Sequence, residues 1–271
     1  MQDSMYSALF GALSNEHRLN VIANNLANVN TTGYKQDQVT FADTFLRFAH
    51  DYILDSKPFL RADPLWPEPS VMAKPRLADQ YTDHTQGSLR VTGNPLDLAL
   101  QGDGFFRVQN PQTGEMFLTR NGNFGLDADG QIVDGNGNLL MAGGGPVTVP
   151  LSATVLIDHA GNVRAGEQEL GQIDVVTVPD PARLEKIGNN LFRAPEGEEE
   201  IEAGLAVAAE EAEQMIVRAT VNQGYLEASN VEVVTEMVRM IAANRSFEAY
   251  SKIMQGTDTI DKRVIAVASK A

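Results

Sequence analysis

The two ends of this chain carry apolar residues at the spacing of a helical seam, and its long middle does not. At the N-terminus Met1, Met5, Ala8, Ala12, Asn15, Leu19, Ile22 and Leu26 follow alternating steps of four and three, the a/d spacing of a coiled coil. Read as helix from Met1 to Asn28, the segment is ~40 Å long. Asparagine is a poor helix former, yet Asn24, Asn25 and Asn28 crowd the last turns. Their presence calls for hydrogen bonds to a neighbouring backbone or side chain. Asn30, Thr31, Thr32 and Gly33 then supply stop chemistry, with Gly33 free to take the left-handed conformation at the helix end.

The C-terminal end repeats the pattern. Leu226, Asn230, Val233, Met237, Met240, Asn244, Phe247, Ser251 and Met254 step by four and three. A second stripe runs through Val231, Val234, Val238 and Ile241, then through Tyr250, Ile253, Thr257, Ile260, Val264 and Val267. A helix from Glu227 to Lys270 would reach ~65 Å. One apolar stripe needs one neighbour; two stripes need neighbours on two sides. The shorter N-terminal helix cannot cover both, so other subunits must supply the rest. The expected assembly interface is Leu19, Ile22, Asn24, Asn25, Leu26 and Asn28 on the first helix. On the second it is Asn230, Val233, Met237, Met240, Asn244, Phe247 and Met254.

Between the ends the character changes twice. Pro58, Pro64, Pro67, Pro69 and Pro75 cluster in residues 36–83, a density that no helix or central strand survives and that favours a stiff, extended linker. Trp66, the only tryptophan, sits among them as an anchor for the loop or a plug against a neighbour. From 84 to 195, short β-like runs such as Phe105-Phe106-Arg107-Val108 and Met116-Phe117-Leu118-Thr119 alternate with turn signals. Asp129-Gly130, Asp134-Gly135 and Asn136-Gly137 are among those signals. This reads as an antiparallel all-β domain able to fold alone. Residues 196–221 form an acidic connection rich in glutamate, read as a solvated segment or a contact for a basic partner. The expected fold class is therefore α+β. A discontinuous, coiled-coil-like helical domain (1–35 and 222–271) carries an inserted antiparallel β domain.

Composition narrows the function classes. A net charge of −15 argues against a nucleic-acid partner, which needs a basic surface. No apolar run is long enough to span a membrane. The N-terminus has no basic region followed by an apolar stretch, so no cleaved secretory leader is expected. With no cysteine, disulfides and thiolate metal sites are excluded, and no cofactor is expected.

The residues that could carry chemistry are better explained by turns. Asp127-Ala128-Asp129-Gly130 and Asp134-Gly135-Asn136-Gly137-Asn138 look like the start of calcium loops, but neither is followed by a distal acid at the required distance. His17, His50, His84 and His159 are scattered without ligand spacing. Gly102-Asp103-Gly104 lacks the strand–glycine–helix context of a phosphate loop. The rival class is a calcium-dependent or carbohydrate-acting enzyme with helical oligomerisation arms. Its carboxylates would be Asp97, Asp103, Asp127, Asp129 and Asp134.

Four blocks, in order, resemble one family. Ala23-Asn24-Asn25-Leu26-Ala27-Asn28-Val29-Asn30-Thr31-Thr32-Gly33-Tyr34-Lys35 is similar to the N-terminal signature of flagellar axial proteins, with Tyr34 where Phe is common. The run Gly93-Asn94-Pro95-Leu96-Asp97-Leu98-Ala99-Leu100 through Phe106 resembles a second block. Thr119-Arg120-Asn121-Gly122-Asn123-Phe124 with Asp127–Gly130 resembles a third. Gly224-Tyr225-Leu226-Glu227-Ala228-Ser229-Asn230-Val231 with Glu236-Met237-Val238 resembles the C-terminal signature, and Ala243–Ala249 a later segment in which Asn244 and Phe247 replace the usual Gln and Tyr. Length favours a rod protein over the larger hook protein, with a hook or hook-associated-like axial protein as the alternative. Within the rod, the resemblance is taken as proximal (FlgF-like) in preference to distal (FlgG-like). The resemblance implies a structural, non-enzymatic subunit of the basal-body rod. It also implies export through the flagellar type III apparatus, assembly in the periplasm, and partnership with itself and other axial proteins.

Overall fold

A computed structural model describes residues 2–47, 71–150, 153–195, 201–202 and 219–268. Trp66, Pro58, Pro64, Pro67 and Pro69, and nearly all of the acidic segment, lie outside the described residues. The protein is α+β and divides into two compact units. The first comprises Met1–Leu26, Asp37–Tyr81 and Val233–Ala271; the second comprises Ala27–Gln36 and Thr82–Glu232.

The first unit holds the N-terminal helix Gln2–Ala27, the C-terminal helix Val233–Ala268, and two long strands, Gln36–Arg47 and Val71–Asp83, that pair with each other. Within the segment read as a linker, the chain therefore makes a two-stranded sheet. Pro75 sits inside the second strand, which is tolerable because both strands of such a sheet are edges. The N-terminal helix buries Ala8, Ala12, Val21, Ile22 and Asn25, while Leu9, Phe10 and Leu13 are exposed. Gly11 lies directly against the ring of Tyr250: a Cβ at that position would fall 2.5 Å from the tyrosine Cε1. The absence of a side chain permits that approach.

The C-terminal helix begins at Val233, later than its seam suggests. Leu226 lies in the strand Tyr225–Glu227, which pairs with Leu89–Val91, and Asn230 lies in the loop that follows. Along the helix Glu236 and Ala243 are buried, and Met240, Phe247, Tyr250, Met254 and Thr257 are half-buried. These positions again step by four and three, so the covered face combines members of both stripes. Val234, Val238 and Ile241 stand 71%, 61% and 55% exposed, and Ile253 and Ile260 are exposed as well.

The second unit is an antiparallel β structure. Its largest sheet runs in the order Glu185–Gly188, Leu191–Arg193, Met116–Thr119, Phe105–Gln109, Leu139–Ala142, Ile132–Asp134, Phe124–Leu126. A three-stranded meander, Val155–Ile157, Asn162–Ala165 and Gln168–Gln172, forms a sheet of its own, and Thr220–Gln223 pairs with Leu98–Gln101 in another. Successive side chains of a strand point to opposite faces. Phe106 and Val108 accordingly enter a core with Leu98, Leu100, Ile132 and Leu140. Phe105 enters a second cluster with Leu118, Val176 and Phe192. A strand covered on both faces explains the unbroken apolar pair Phe105-Phe106. Ala219 and Val221 are fully buried in the first core, so residues beyond the acidic segment complete the β unit.

Candidate functional site

The second unit gathers residues from four distant stretches around one carboxylate. Lys35 follows the asparagine-rich helix end, and its Nζ donates to Glu227 Oε1 at 2.6 Å and to the Thr85 carbonyl at 2.8 Å. Arg120 Nη1 donates to the other Glu227 oxygen at 3.4 Å, and its Nη2 donates to the Gly102 carbonyl at 2.7 Å. The Gly87 N–H completes the set, donating to Glu227 Oε1 at 2.9 Å. A side chain at Gly87 would drive its Cβ to 1.9 Å from the Ala228 carbonyl oxygen, so only glycine brings that N–H to the carboxylate. All three ionic side chains are almost fully buried. Burial pulls the Lys35 ammonium and the Arg120 guanidinium below their ordinary values, and the Glu227 carboxylate beside them pulls the other way.

Backbone contacts lock the same place. The Gly33 N–H donates to the Glu227 carbonyl at 2.8 Å, and Gly33 itself has φ +66°. Its left-handed conformation serves this docking and not a helix cap, since the helix ends at Ala27. A Cβ on Gly33 would lie 2.5 Å from the Arg120 carbonyl carbon. Thr32 Oγ1 donates to Asn121 Oδ1, and Asn190 Nδ2 donates to the Thr32 carbonyl, both at 2.8 Å. Lys186 Nζ reaches the Lys35 carbonyl at 3.1 Å and stands 4.1 Å from the centroid of the Tyr34 ring.

Asn230 makes a further tie. Its Oδ1 accepts from the Gln36 N–H at 2.8 Å, and its Nδ2 donates to the Asp83 carbonyl at 2.8 Å and to Thr85 Oγ1 at 3.1 Å. One amide thus holds together the segments after the N-terminal helix, after the long strand pair, and before the C-terminal helix.

The interface residues expected from the sequence separate into groups. Ile22 and Asn25 are buried within the chain. Asn25 Nδ2 donates to the Asp37 carbonyl and its Oδ1 accepts from the Asp37 N–H, the backbone bonding that an asparagine so placed requires. Leu19, Leu26 and Asn28 are half-buried and Asn24 is exposed. Asn28 Oδ1 accepts from Thr31 Oγ1 at 3.2 Å. Met240, Phe247 and Met254 are half-buried, whereas Val233, Met237 and Asn244 are exposed.

The carboxylates of the rival enzyme class are largely engaged in local structure. Asp134 accepts from the N–H groups of Asn136 and Asn138 and from the Asn138 amide, the bonding of a tight turn. Asp127 accepts from the Asp129 N–H, and Asp97 from the Asn94 side chain. Among the described residues no three acidic or histidine side chains are grouped as metal ligands.

Comparison with known proteins meets this geometry at its three charged residues. Residues 5–35 match a family described as flagella basal body rod protein, residues 99–165 the flagellar hook protein FlgE/F/G D1 domain, and residues 222–267 the flagellar basal body rod FlgEFG protein C-terminal region. Lys35, Arg120 and Glu227 fall one in each matched segment. The flagellar basal-body rod protein FlgG of Bacillus subtilis is 33% identical to this chain over 98% of each. The flagellar basal-body rod protein FlgF of Caulobacter vibrioides is 31% identical, covering 98% of this chain and 97% of its own. The chain belongs to the flagellar basal-body rod protein family. Relatives named for both rod types match this rod-family chain, including the FlgG of Caulobacter vibrioides at 33% identity over 94% of the chain and 95% of its own length.

The ion cluster is what sequence reasoning missed. Lys35, Arg120 and Glu227 each stood inside a signature block, but nothing local assigned them to one another. The available signal was a charged residue inside each of three signature blocks.

Proposed function

We propose that this chain is a structural subunit of the flagellar rod that polymerises through the exposed apolar faces of its terminal helices. The observation that carries the reading is the surface of the C-terminal helix. Val234, Val238 and Ile241 fall on one stripe and stand mostly exposed, although the chain has a buried core elsewhere for such residues. Burying each contributes about 1.5–3 kcal/mol, and an assembly repeats that gain in every subunit. Leu9, Phe10 and Leu13 offer a second apolar face on the N-terminal helix. Packed against copies of itself and other axial proteins, these faces form a coiled-coil-like wall. Export by the flagellar type III apparatus and assembly in the periplasm complete the reading, in which the chain takes the proximal position.

The test is assembly in cells. Val238→Asp places a charge on an exposed side chain, so the monomer keeps its circular dichroism spectrum and melting temperature. The same change puts an unpaired ion into the subunit interface, so basal bodies lack the protein and the cells do not swim. Normal swimming by both Val234→Asp and Val238→Asp overturns the interface. Recovery of the wild-type chain beyond the proximal part of purified rods overturns the proximal position.

A further inference from the structure

His84 occupies a place no part of the subunit reading uses. Neither of its ring nitrogens has a hydrogen-bond partner among the described residues, and both are shielded from solvent. The ring stands edge-on to Phe105 at 5.5 Å and to Phe192 at 5.2 Å between centroids. Its chain neighbours carry the ties described above. The Thr85 carbonyl accepts from Lys35 Nζ, and the Asp83 carbonyl accepts from Asn230 Nδ2. His84 therefore sits at the centre of a tripeptide that is tied both to the segment after the N-terminal helix and to the segment before the C-terminal helix.

We propose that His84 is the acid-sensitive pin of a latch: protonation expels its ring from between Phe105 and Phe192, shifts Asp83 and Thr85, and releases Lys35 and Asn230 together. The proton comes from solvent and no other bond is made or broken. A charged imidazole needs water or an acceptor, and this pocket offers aromatic faces. The charges that face it are Lys35 from the N-terminal signature, Arg120 from the loop after Met116–Thr119, Lys186 from the strand Glu185–Gly188, and Asp83 beside it in the chain. The three cations oppose a further positive charge and only Asp83 favours it. Burial first, then Lys35 and Arg120, push the imidazole from 6.5 down to about 4. Because the released ring titrates at its ordinary, higher value, the opened state binds the proton more readily. The latch is complete above the ordinary value and weakens as the pH falls from there to about 4.

The experiment is amide hydrogen exchange on the full-length purified chain at pH 6.5 and pH 4, with rates normalised to the intrinsic pH dependence. The reporters are Gly33, Gln36 and Gly87, whose N–H groups bond to Glu227 and Asn230. Their protection should fall on the order of fifty-fold between the two conditions, while Phe106 and Val108 in the core strand keep theirs. In His84→Phe the reporters should lose far less. An equal loss in His84→Phe overturns the proposal, because carboxylate protonation then explains the opening. Where that variant does not fold, the wild-type His84 ring is followed by NMR. Titration of the ring with no parallel loss of protection at Gly33 and Gln36 overturns the proposal, and a parallel loss supports it.

Discussion

Lys35 and Glu227 stand 192 positions apart in the chain and meet at 2.6 Å, each side chain only 1% exposed. A buried ion pair is weak evidence for net stability, since desolvating both charges offsets most of their attraction. Removing one partner is different, because it strands the other. Here the loss is doubled: without Glu227 both Lys35 and Arg120 lie buried without their shared carboxylate.

Glu227→Gln should therefore destabilise the chain by about 3–5 kcal/mol. Glu115→Gln, which breaks the half-exposed pair with Arg193, should change stability by less than about 1 kcal/mol. Urea denaturation of the two variants beside the wild type checks the contrast. Equal effects would mean that the buried cluster contributes no more than a surface pair.

Gly33→Ala and Gly93→Ala make a second contrast. Both glycines have positive φ, +66° and +76°, so alanine is strained at either position by about 1–2 kcal/mol. At Gly93 nothing lies within 4 Å of the added methyl, whereas at Gly33 it meets the Arg120 carbonyl carbon and the Asn121 nitrogen at 2.5 Å. Backbone atoms cannot swing aside as a side chain can. Gly33→Ala should cost more than Gly93→Ala by a margin of about 1–3 kcal/mol, the range for overpacking a tight site. The midpoints of denaturant unfolding measure it.

The β unit should fold by itself only when it keeps its last strands. A fragment of residues 82–232 should melt cooperatively. One ending at 195 loses Val221, which pairs with Leu100, and the fully buried Ala219. That truncation uncovers Leu98 and Leu100 on the edge of the core. Scanning calorimetry should show a cooperative transition for the longer fragment and none for the shorter. A sharp transition in the shorter fragment would show that Thr220–Gln223 is dispensable.

Much of the architecture was legible without coordinates. The helix Gln2–Ala27 and most of Val233–Ala268 follow from apolar spacing, because a helix returns the same face every three to four residues. Strands such as Phe105–Gln109 and Met116–Thr119 follow from apolar runs between turn residues. Others, including Ile132–Asp134 and Leu139–Ala142, are short strands set beside the turn signals that dominated their stretch. Their pairing decides them, and pairing is not a local property.

What the sequence by itself determined is whatever depends on near neighbours along the chain: helical ends, turn chemistry, and signature blocks in family order. Tertiary structure alone decided which of two apolar stripes on the C-terminal helix is covered, and it chose residues from both. Met240 and Phe247 of one stripe and Tyr250 and Thr257 of the other turn inward beside Glu236 and Ala243, leaving Val234, Val238 and Ile241 at the surface. It also decided that Lys35, Arg120 and Glu227 form one cluster, and that Asn230 is a tie and not part of a helical seam. The reason is physical. Periodicity is written in steps of a few residues, but burying a charge is tolerable only where an opposite charge arrives, and that arrival is arranged by the whole fold.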